Sequence, residues 1–185
     1  MVVTELQKML AGEMYSPYVP ELADLRLKAR RLCQRLDRAD PADRDEQVRI
    51  LSDLIHFTGS PPTIEPPFRC DYGCNTPVGR NFFMNFGGVI LDCARVTIGD
   101  NVMLSSHVQL LAAGHPLDPD ERTAGLEWGK PITLGHHVWL GGGVVVLPGV
   151  TIGDGTTVGA GSVVTKDLPP RVVAVGNPAR VVRHL

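Results

Sequence analysis

The stretch LGHHVWLGGGVVVLPGVTIGDGTTVGAGSVVTKDLP, residues 134–169, divides into six blocks of six residues. The second position is glycine in four blocks, and the fifth is small or β-branched in the first five. A fixed short period is the signature of a solenoid. The first position is aliphatic in every block: Leu134, Leu140, Val146, Ile152, Val158 and Val164.

A six-residue repeat suits a coil with one short strand per block and three blocks per turn. The aliphatic first position then points inward, and stacked coils share backbone hydrogen bonds. Glycine at the second position allows a tight corner. A two-stranded amphipathic arrangement would have a period of two, and a βαβ fold would need helices between the apolar blocks. The repeats therefore predict a mainly β protein, a parallel β-helix.

The same frame extends upstream with IGDNVM, LSSHVQ and Leu110, while residues 78–95 keep a looser version that is offset by two residues. Residues 112–131 break the pattern, but Leu110 and Leu134 lie a multiple of six apart. We therefore expect a polar loop at 112–131, extruded from a regular β-helix. Long loops on rigid scaffolds are where function tends to lie.

Residues 1–58 are predicted to form a small N-terminal α-helical cap, with a second helix over residues 41–56. The proline-rich stretch TGSPPTIEPPF, residues 58–68, cannot continue a helix and excludes a central strand. The domain boundaries are therefore placed at 1–58 for the cap and 59–185 for the β-helix with its loop and C-terminal tail. One helix face of the cap carries the apolar positions Leu22, Leu25, Ala29, Leu32, Cys33 and Leu36.

The composition narrows the classes of partner. A formal net charge of -2 gives no electrostatic reason to expect nucleic acid or an anionic membrane. No apolar run approaches the roughly 20 residues that span a bilayer, so a cytoplasmic location is expected. The four cysteines lack the spacing of a four-thiolate zinc site and are expected to be free thiols.

The segments PFRCDYG, NFFMNFGGVILD, AGHPLDPDERTAGLEWGKPITLG, VGAGSVVTKDLP and VAVGNPARVVR closely resemble the maltose, galactoside and nodulation-factor O-acetyltransferases of the hexapeptide-repeat superfamily. KMLAGEMY and the helix after it look like the maltose acetyltransferase cap. The resemblance implies a left-handed β-helix, a homotrimer with active sites between subunits, acetyl-CoA as co-substrate and no required metal. It also implies transfer of acetyl to a hydroxyl of a small sugar-like acceptor.

The resemblance also indicates site residues at the acceptor. His115, in AGHP, matches the general base, and the unperturbed pKa of histidine, roughly 6.5, suits that role. Asn85 matches an acceptor-binding amide that could also assist catalysis, and Asp71 matches a second acceptor-binding position. For Glu127, also placed at the acceptor, two interpretations stay open: it orients His115 by accepting its second N–H, or it is a carboxylate at the rim of the site.

For acetyl-CoA the resemblance points to backbone groups at two small residues and to cationic side chains near the C-terminus. An amide N–H at the first small residue could meet the thioester oxygen, and arginine suits phosphate. An aromatic residue is expected beside the thioester channel. The predicted set is Trp139, Gly142, Ala160, Thr165, Lys166, Arg180 and Arg183.

Three other functions compete with this prediction. A metalloenzyme of the γ-carbonic anhydrase type would need three histidines on zinc, for which His107, His115 and His136 are the candidates. A catalytically silent β-helix scaffold would not need His115 or Asn85. An acetyltransferase for an antibiotic or a nucleotide-sugar fits most of the same features. The resemblance departs at Tyr15, Ser16 and Pro17 and at Cys93, where relatives often carry a carboxylate.

Overall fold

The computed structural model describes residues 3–185 and begins with three helices. They are α1 (Glu5–Ala11), α2 (Pro20–Arg38) and α3 (Arg44–Leu54). Thr4 forms a capping box with Gln7 at the start of α1, and the Asp43 side chain accepts from the Glu46 N–H at the start of α3. The third helix is therefore shorter than the predicted 41–56, because its cap lies at Asp43.

Short strands follow, most of them two or three residues long. The first nine are β1 (His56–Phe57), β2 (Thr63–Ile64), β3 (Arg69–Cys70), β4 (Pro77–Val78), β5 (Phe83–Met84), β6 (Val89–Leu91), β7 (Val96–Ile98), β8 (Met103–Leu104) and β9 (Gln109–Leu111). The interruption holds β10 (Ala113–Gly114), α4 (Pro119–Thr123) and β11 (Trp128–Gly129). The rest are β12 (Ile132–Leu134), β13 (Trp139–Leu140), β14 (Val145–Val146), β15 (Thr151–Ile152), β16 (Thr157–Val158), β17 (Val163–Val164), β18 (Val172–Val175) and β19 (Arg180–His184).

From β1 to β17, apart from the loop pair β10 and β11, successive strands enter three parallel sheets in rotation, which is the topology of a β-helix. Sheet I has the order β1-β4-β7-β12-β15, and sheet III has the order β17-β14-β9-β6-β3. Sheet II has the order β19-β18-β16-β13-β8-β5-β2, in which only β19 runs antiparallel to its neighbour. The predicted class, a mainly β parallel β-helix with a helical cap and an extruded loop, is confirmed.

The core consists of aliphatic side chains stacked in columns inside the three sheets. In sheet I, Leu134 pairs with Ile98 below and Ile152 above, and all three are buried. All six first-position residues of the repeats are at most 1% exposed. Burying each such side chain stabilises the fold by roughly 1.5–3 kcal/mol. The inward direction predicted from the repeat is therefore confirmed.

The offset of two residues in the early repeats has a structural cause. Paired residues lie 18 positions apart in the later coils, as with Thr133 and Thr151, but 20 apart in the earlier ones, as with Phe83 and Met103. The extra residues fall at the corner between sheets III and I, at residues 71–76 and 92–95. The loop at 112–131 leaves from the same corner one coil later. The three sheets are the faces of a prism. Three long corners are thus stacked along one edge of this prism, which we name edge III–I.

The helical cap covers this side of the β-helix. Helix α2 packs against β3, and its apolar face joins the main core through Ala29, Leu32, Cys33 and Leu36. A second, smaller core joins the cap to edge III–I and contains Met9, Tyr15, Leu22, Tyr72 and Cys93. His56 and Phe57, inside the predicted cap, form the first strand of sheet I. Across residues 3–185, none of the helices combines the length and the apolar character needed to cross a membrane.

Candidate active site

A cavity of about 420 Å³ lies where the cap meets edge III–I. It brings together three residues predicted from the sequence for the acceptor site: Asp71, Glu127 and His115. The remaining lining comes from the cap and from edge III–I, and it contains both polar and apolar residues. These residues are Pro17, Tyr18, Arg26, Arg30, Tyr72, Leu91, Cys93 and Ala113.

A buried carboxylate fixes the first long corner. Asp92 is fully buried and accepts from the Tyr72 N–H at 2.8 Å, the Asn75 N–H at 3.2 Å and the Thr76 hydroxyl at 3.2 Å. Burial raises the pKa of Asp92, and these donors oppose the shift. Because the corner is held from inside, Asp71 and Tyr72 have defined positions at the cavity. Asp92 was not predicted from the sequence, since nothing in the pattern of the neighbouring residues marks this carboxylate as buried.

The carboxylate of Asp71 accepts a hydrogen bond from a buried cysteine. The Cys93 thiol donates to Asp71 Oδ2 at 3.3 Å. Burial and the negative charge of Asp71 hold the pKa of Cys93 well above its usual range, so the thiol keeps its proton and remains a donor. Cys93 was noted in the sequence only as a departure from the family pattern. In the structure it occupies one oxygen of Asp71, while Oδ1 has no hydrogen-bond partner among residues 3–185.

Glu127 is held in a similar way by Tyr15, a residue that precedes it by 112 positions. The Tyr15 hydroxyl donates to Glu127 Oε2 at 2.9 Å, and the two backbones exchange hydrogen bonds of 3.0 Å in both directions. Burial raises the pKa of Tyr15, so the phenol is protonated at neutral pH. The expected bond from His115 to Glu127 is absent among residues 3–185. The carboxylate that was predicted to orient the imidazole is instead bonded to Tyr15.

His115 lies on the extruded loop, directly after β10. Strand β10 pairs with β11 in antiparallel fashion, and a Cβ on Gly114 would come within 2.5 Å of the Trp128 ring. Glycine is therefore required before the histidine. Beyond it, the Arg122 guanidinium donates to the Pro116 carbonyl at 3.0 Å and folds the loop back on itself. The imidazole is exposed at the mouth of the cavity, where a substrate hydroxyl could reach it.

Two arginines of α2 add positive charge to the cavity. Arg26 donates to the Tyr72 hydroxyl at 2.8 Å and lies 5.8 Å from the centre of the Tyr72 ring. Burial raises the pKa of Tyr72 to about 12, although Arg26 acts in the opposite direction. Arg30 lies one turn further along the helix. Neither arginine was predicted, because the helical pattern of α2 identifies only its apolar face.

Three of the seven predicted acetyl-CoA residues, Trp139, Gly142 and Ala160, lie at another edge, between sheets II and III. Gly142 and Ala160 occupy equivalent corners of successive coils, and the Gly161 N–H donates to the Gly142 carbonyl at 2.8 Å. The N–H groups of Gly142 and Ala160 have no acceptor among residues 3–185, so both are available to a ligand. Trp139 is 49% exposed beside them, with its indole N–H 3.3 Å from the Ser105 hydroxyl.

Asn85 lies on this second edge as well, two coils before Gly142. Its side-chain oxygen accepts from the Phe86 N–H at 2.7 Å. Asn85 and His115 are thus on different edges of the prism, and a single chain does not bring them together. Arg180 and Arg183 are exposed on β19, at the end of sheet II. Thr165 and Lys166 are exposed after β17, at the last corner of edge III–I.

The histidines proposed for a zinc site are also separated. His107 follows β8 at the edge between sheets II and III, and His136 follows β12 at the edge between sheets I and II. His115 lies at edge III–I. His136 Nδ1 accepts from the Asp100 N–H at 3.0 Å, so that nitrogen is already engaged. One chain therefore does not place the three imidazoles around a common point.

Comparison with known proteins gives two family matches. The model described as the maltose acetyltransferase hexapeptide capping motif matches residues 8–59, and the bacterial transferase hexapeptide model, with six repeats, matches residues 131–166. Together they cover nearly half of the chain, with the cap at one end and the repeats at the other.

Three relatives match over almost the whole chain. Nodulation protein L of Rhizobium meliloti is 46% identical over 98% of this chain and 99% of its own. The crystal structure of a maltose O-acetyltransferase from Clostridium difficile has a TM-score of 0.95 at 42% identity, covering 98% of this chain and 97% of that one. A galactoside acetyltransferase in complex with coenzyme A has a TM-score of 0.93 at 40% identity, covering 100% and 91%.

Proposed function

Because the chain belongs to the maltose and galactoside O-acetyltransferase family of hexapeptide-repeat proteins, we propose that it transfers acetyl from acetyl-CoA to a hydroxyl of a small sugar-like acceptor. Acetyl transfer itself follows from the family. The acceptor class and the roles of individual residues are the proposal. One observation supports it above the others: an exposed imidazole stands at the mouth of a cavity whose two carboxylates are each held by a buried donor.

The chemistry is direct attack of an alcohol on a thioester. His115 accepts the hydroxyl proton as the oxygen attacks the thioester carbon. The carbonyl oxygen then becomes an oxyanion that needs a hydrogen-bond donor fixed in advance. The Gly142 N–H suits this role because it has no acceptor among the described residues. Collapse of the intermediate expels the thiolate of CoA, which takes the proton held by His115.

The cavity is suited to an acceptor that carries several hydroxyl groups. Cys93 occupies one oxygen of Asp71, and Tyr15 occupies one oxygen of Glu127. The other oxygen of each carboxylate remains to accept a hydroxyl from the acceptor. Two such acceptors with fixed positions select a polyol over an alcohol with one hydroxyl. This pattern supports a saccharide, and it does not distinguish one sugar from another.

The division of the site between two edges supports a homotrimer with active sites between subunits. His115, Asp71 and Glu127 lie on edge III–I, whereas Asn85, Gly142 and Ala160 lie on the edge between sheets II and III. A second copy that presents this other edge to the cavity would complete the site. Asn85 would then orient the acceptor opposite His115, and the cationic residues near the C-terminus would hold the phosphates of CoA.

The test is replacement of His115 by Ala, with His56→Ala as the matched control. His56 is exposed on β1, away from the cavity. Thiol release from acetyl-CoA would be followed against monosaccharides, disaccharides, chitin-type oligosaccharides and hydroxylated antibiotics. We expect His115→Ala to lower turnover by about 10²–10⁴-fold while acetyl-CoA affinity, measured by calorimetry, changes little. Full turnover in that variant would disprove the role of His115, and activity confined to the antibiotics would disprove the acceptor class.

A further inference from the structure

A second cavity, of about 380 Å³, lies between α2 and β3, beside the acceptor cavity. Two thiols lie at its base, Cys33 from the helix and Cys70 from the strand, and both are buried and free. Their sulfurs are 3.8 Å apart, within the range of a thiol–thiol hydrogen bond. Nothing in the proposed acetyl transfer uses either thiol.

The geometry permits a covalent bond between them. A disulfide has an S–S distance of roughly 2.05 Å, so the two sulfurs must approach by less than 2 Å from their present separation. Helix α2 packs directly on β3, and both cysteines belong to the same buried cluster. An approach of this size can begin with rotation of the two side chains.

The charges around the cavity make the two thiols unequal. The contact with Cys70 and the nearby Arg69 guanidinium lower the pKa of Cys33, and burial opposes this shift. The same contact, together with burial, raises the pKa of Cys70. Arg69 is itself fixed by two hydrogen bonds to Asp37, at 2.7 and 3.1 Å, across the cavity. Burial raises the pKa of Cys93, whereas Cys33 lies beside both a second thiol and the Arg69 guanidinium, so Cys33 is the thiol expected to react first.

We propose that Cys33 and Cys70 are a site of oxidative modification, at which a hydroperoxide converts the two thiols into an intramolecular disulfide. The Cys33 thiolate attacks one oxygen of hydrogen peroxide, the O–O bond breaks, and the hydroxide that leaves takes a proton to become water. Cys33 is then a sulfenic acid. The Cys70 sulfur attacks the Cys33 sulfur, displaces the hydroxyl group and gives up its own proton, so that a second water leaves. Two thiols are oxidised while one peroxide is reduced to two waters.

The modification would join the cap to the β-helix beside the acceptor cavity. Asp71, which lines that cavity, is the next residue after Cys70. Arg30 lies one helical turn before Cys33 and lines both cavities. The bond would also close a loop of 37 residues, which restricts the unfolded chain. We therefore expect the oxidised protein to have a Tm higher by roughly 5–10 °C.

The experiment uses the full-length protein, reduced and then freed of reductant. Each sample is treated with a small excess of hydrogen peroxide, unfolded in N-ethylmaleimide, and examined by intact mass and by peptide mapping without reduction. Cys33→Ser and Cys70→Ser each remove one partner and keep a side chain of similar size. Cys74→Ser is the matched control, because Cys74 is exposed at the next corner and has no thiol neighbour in the described residues.

In the wild type, two of the four thiols should become inaccessible to maleimide. In Cys74→Ser, two of the remaining three thiols should become inaccessible. A peptide pair that contains Cys33 and Cys70 should appear, and dithiothreitol should reverse the change. Neither Cys33→Ser nor Cys70→Ser should form this bond. The proposal is overturned if all four wild-type thiols remain reactive, if the bond pairs Cys74 or Cys93, or if Cys33 stops as a sulfinic acid.

Discussion

The hydrogen bond from Tyr15 to Glu127 leads to a prediction that can be tested closely, through the substitution Tyr15→Phe. This change removes one hydroxyl and keeps the ring that packs in the small core with Met9 and Leu22. Packing should therefore be preserved. What is lost is the 2.9 Å bond that fixes one oxygen of Glu127 at the acceptor cavity.

The size of the effect follows from the environment of the bond. A hydrogen bond to a charged group contributes about 1.5–3 kcal/mol. Tyr15 is fully buried, but Glu127 is only half-buried and can be rehydrated from the cavity. We therefore expect the lower end, a loss of about 1.5 kcal/mol in the free energy of unfolding and a fall in Tm of roughly 3–6 °C. Since the carboxylate also loses its orientation, the KM for the acceptor should rise about three- to tenfold.

Tyr18→Phe is the matched control for this substitution. Tyr18 lines the same cavity, is 77% exposed, and its hydroxyl has no partner among residues 3–185. Urea unfolding at fixed protein concentration and initial rates with varied acceptor would be measured for both variants. A Tyr15→Phe protein as stable as Tyr18→Phe, with the acceptor KM unchanged, would show that the bond neither holds Glu127 nor matters to the site.

Three further results are expected. The pKa of Asp92 is raised by burial, so the folded protein keeps this proton to higher pH than the unfolded chain. Wild-type stability relative to Asp92→Asn should therefore fall as the pH rises above about 4, the ordinary pKa of aspartate, and a flat difference in urea midpoints would contradict this. Arg180→Ala should raise the KM for acetyl-CoA more than it lowers turnover, which initial-rate kinetics would test. Gly141→Ala would place a Cβ 2.6 Å from the Ala160 N atom and should cost at least about 2 kcal/mol in urea unfolding, whereas the Cβ added by Gly142→Ala would meet only the Ser106 carbonyl, at 3.4 Å, so this variant should fold while losing acetyl transfer.

The fold could be predicted because single residues that recur at a fixed interval determine it. A glycine or an aliphatic residue every six positions determines where each corner and each inward side chain falls, as Leu134 and Leu140 show. Strand β1 was missed because His56 and Phe57 are too short a stretch to show a period. The long corners appeared only as an offset of two residues, since the sequence does not reveal at which edge of the prism the extra residues are placed.

The site was predictable only where a local motif marks it. AGHP singles out His115, and the structure places it in one cavity with Asp71 and Glu127. The partner of Glu127 was not predictable, because Tyr15 is distant in sequence and approaches only after the cap has docked. The same holds for Asp92 and the Cys33–Cys70 pair, whose importance comes from burial and proximity. Such contacts carry no periodic signal.

The extruded loop leaves the stacked coils and returns to them without disturbing their register: Thr97 pairs with Thr133 across the interruption as directly as Thr133 pairs with Thr151. The register of the coils is thus kept on both sides of the loop, whose two ends meet at the same corner. The segment that carries the imidazole can therefore change in length and sequence during evolution while the packing of the coils stays the same. A protein with this architecture can acquire a different substrate without a change in its fold.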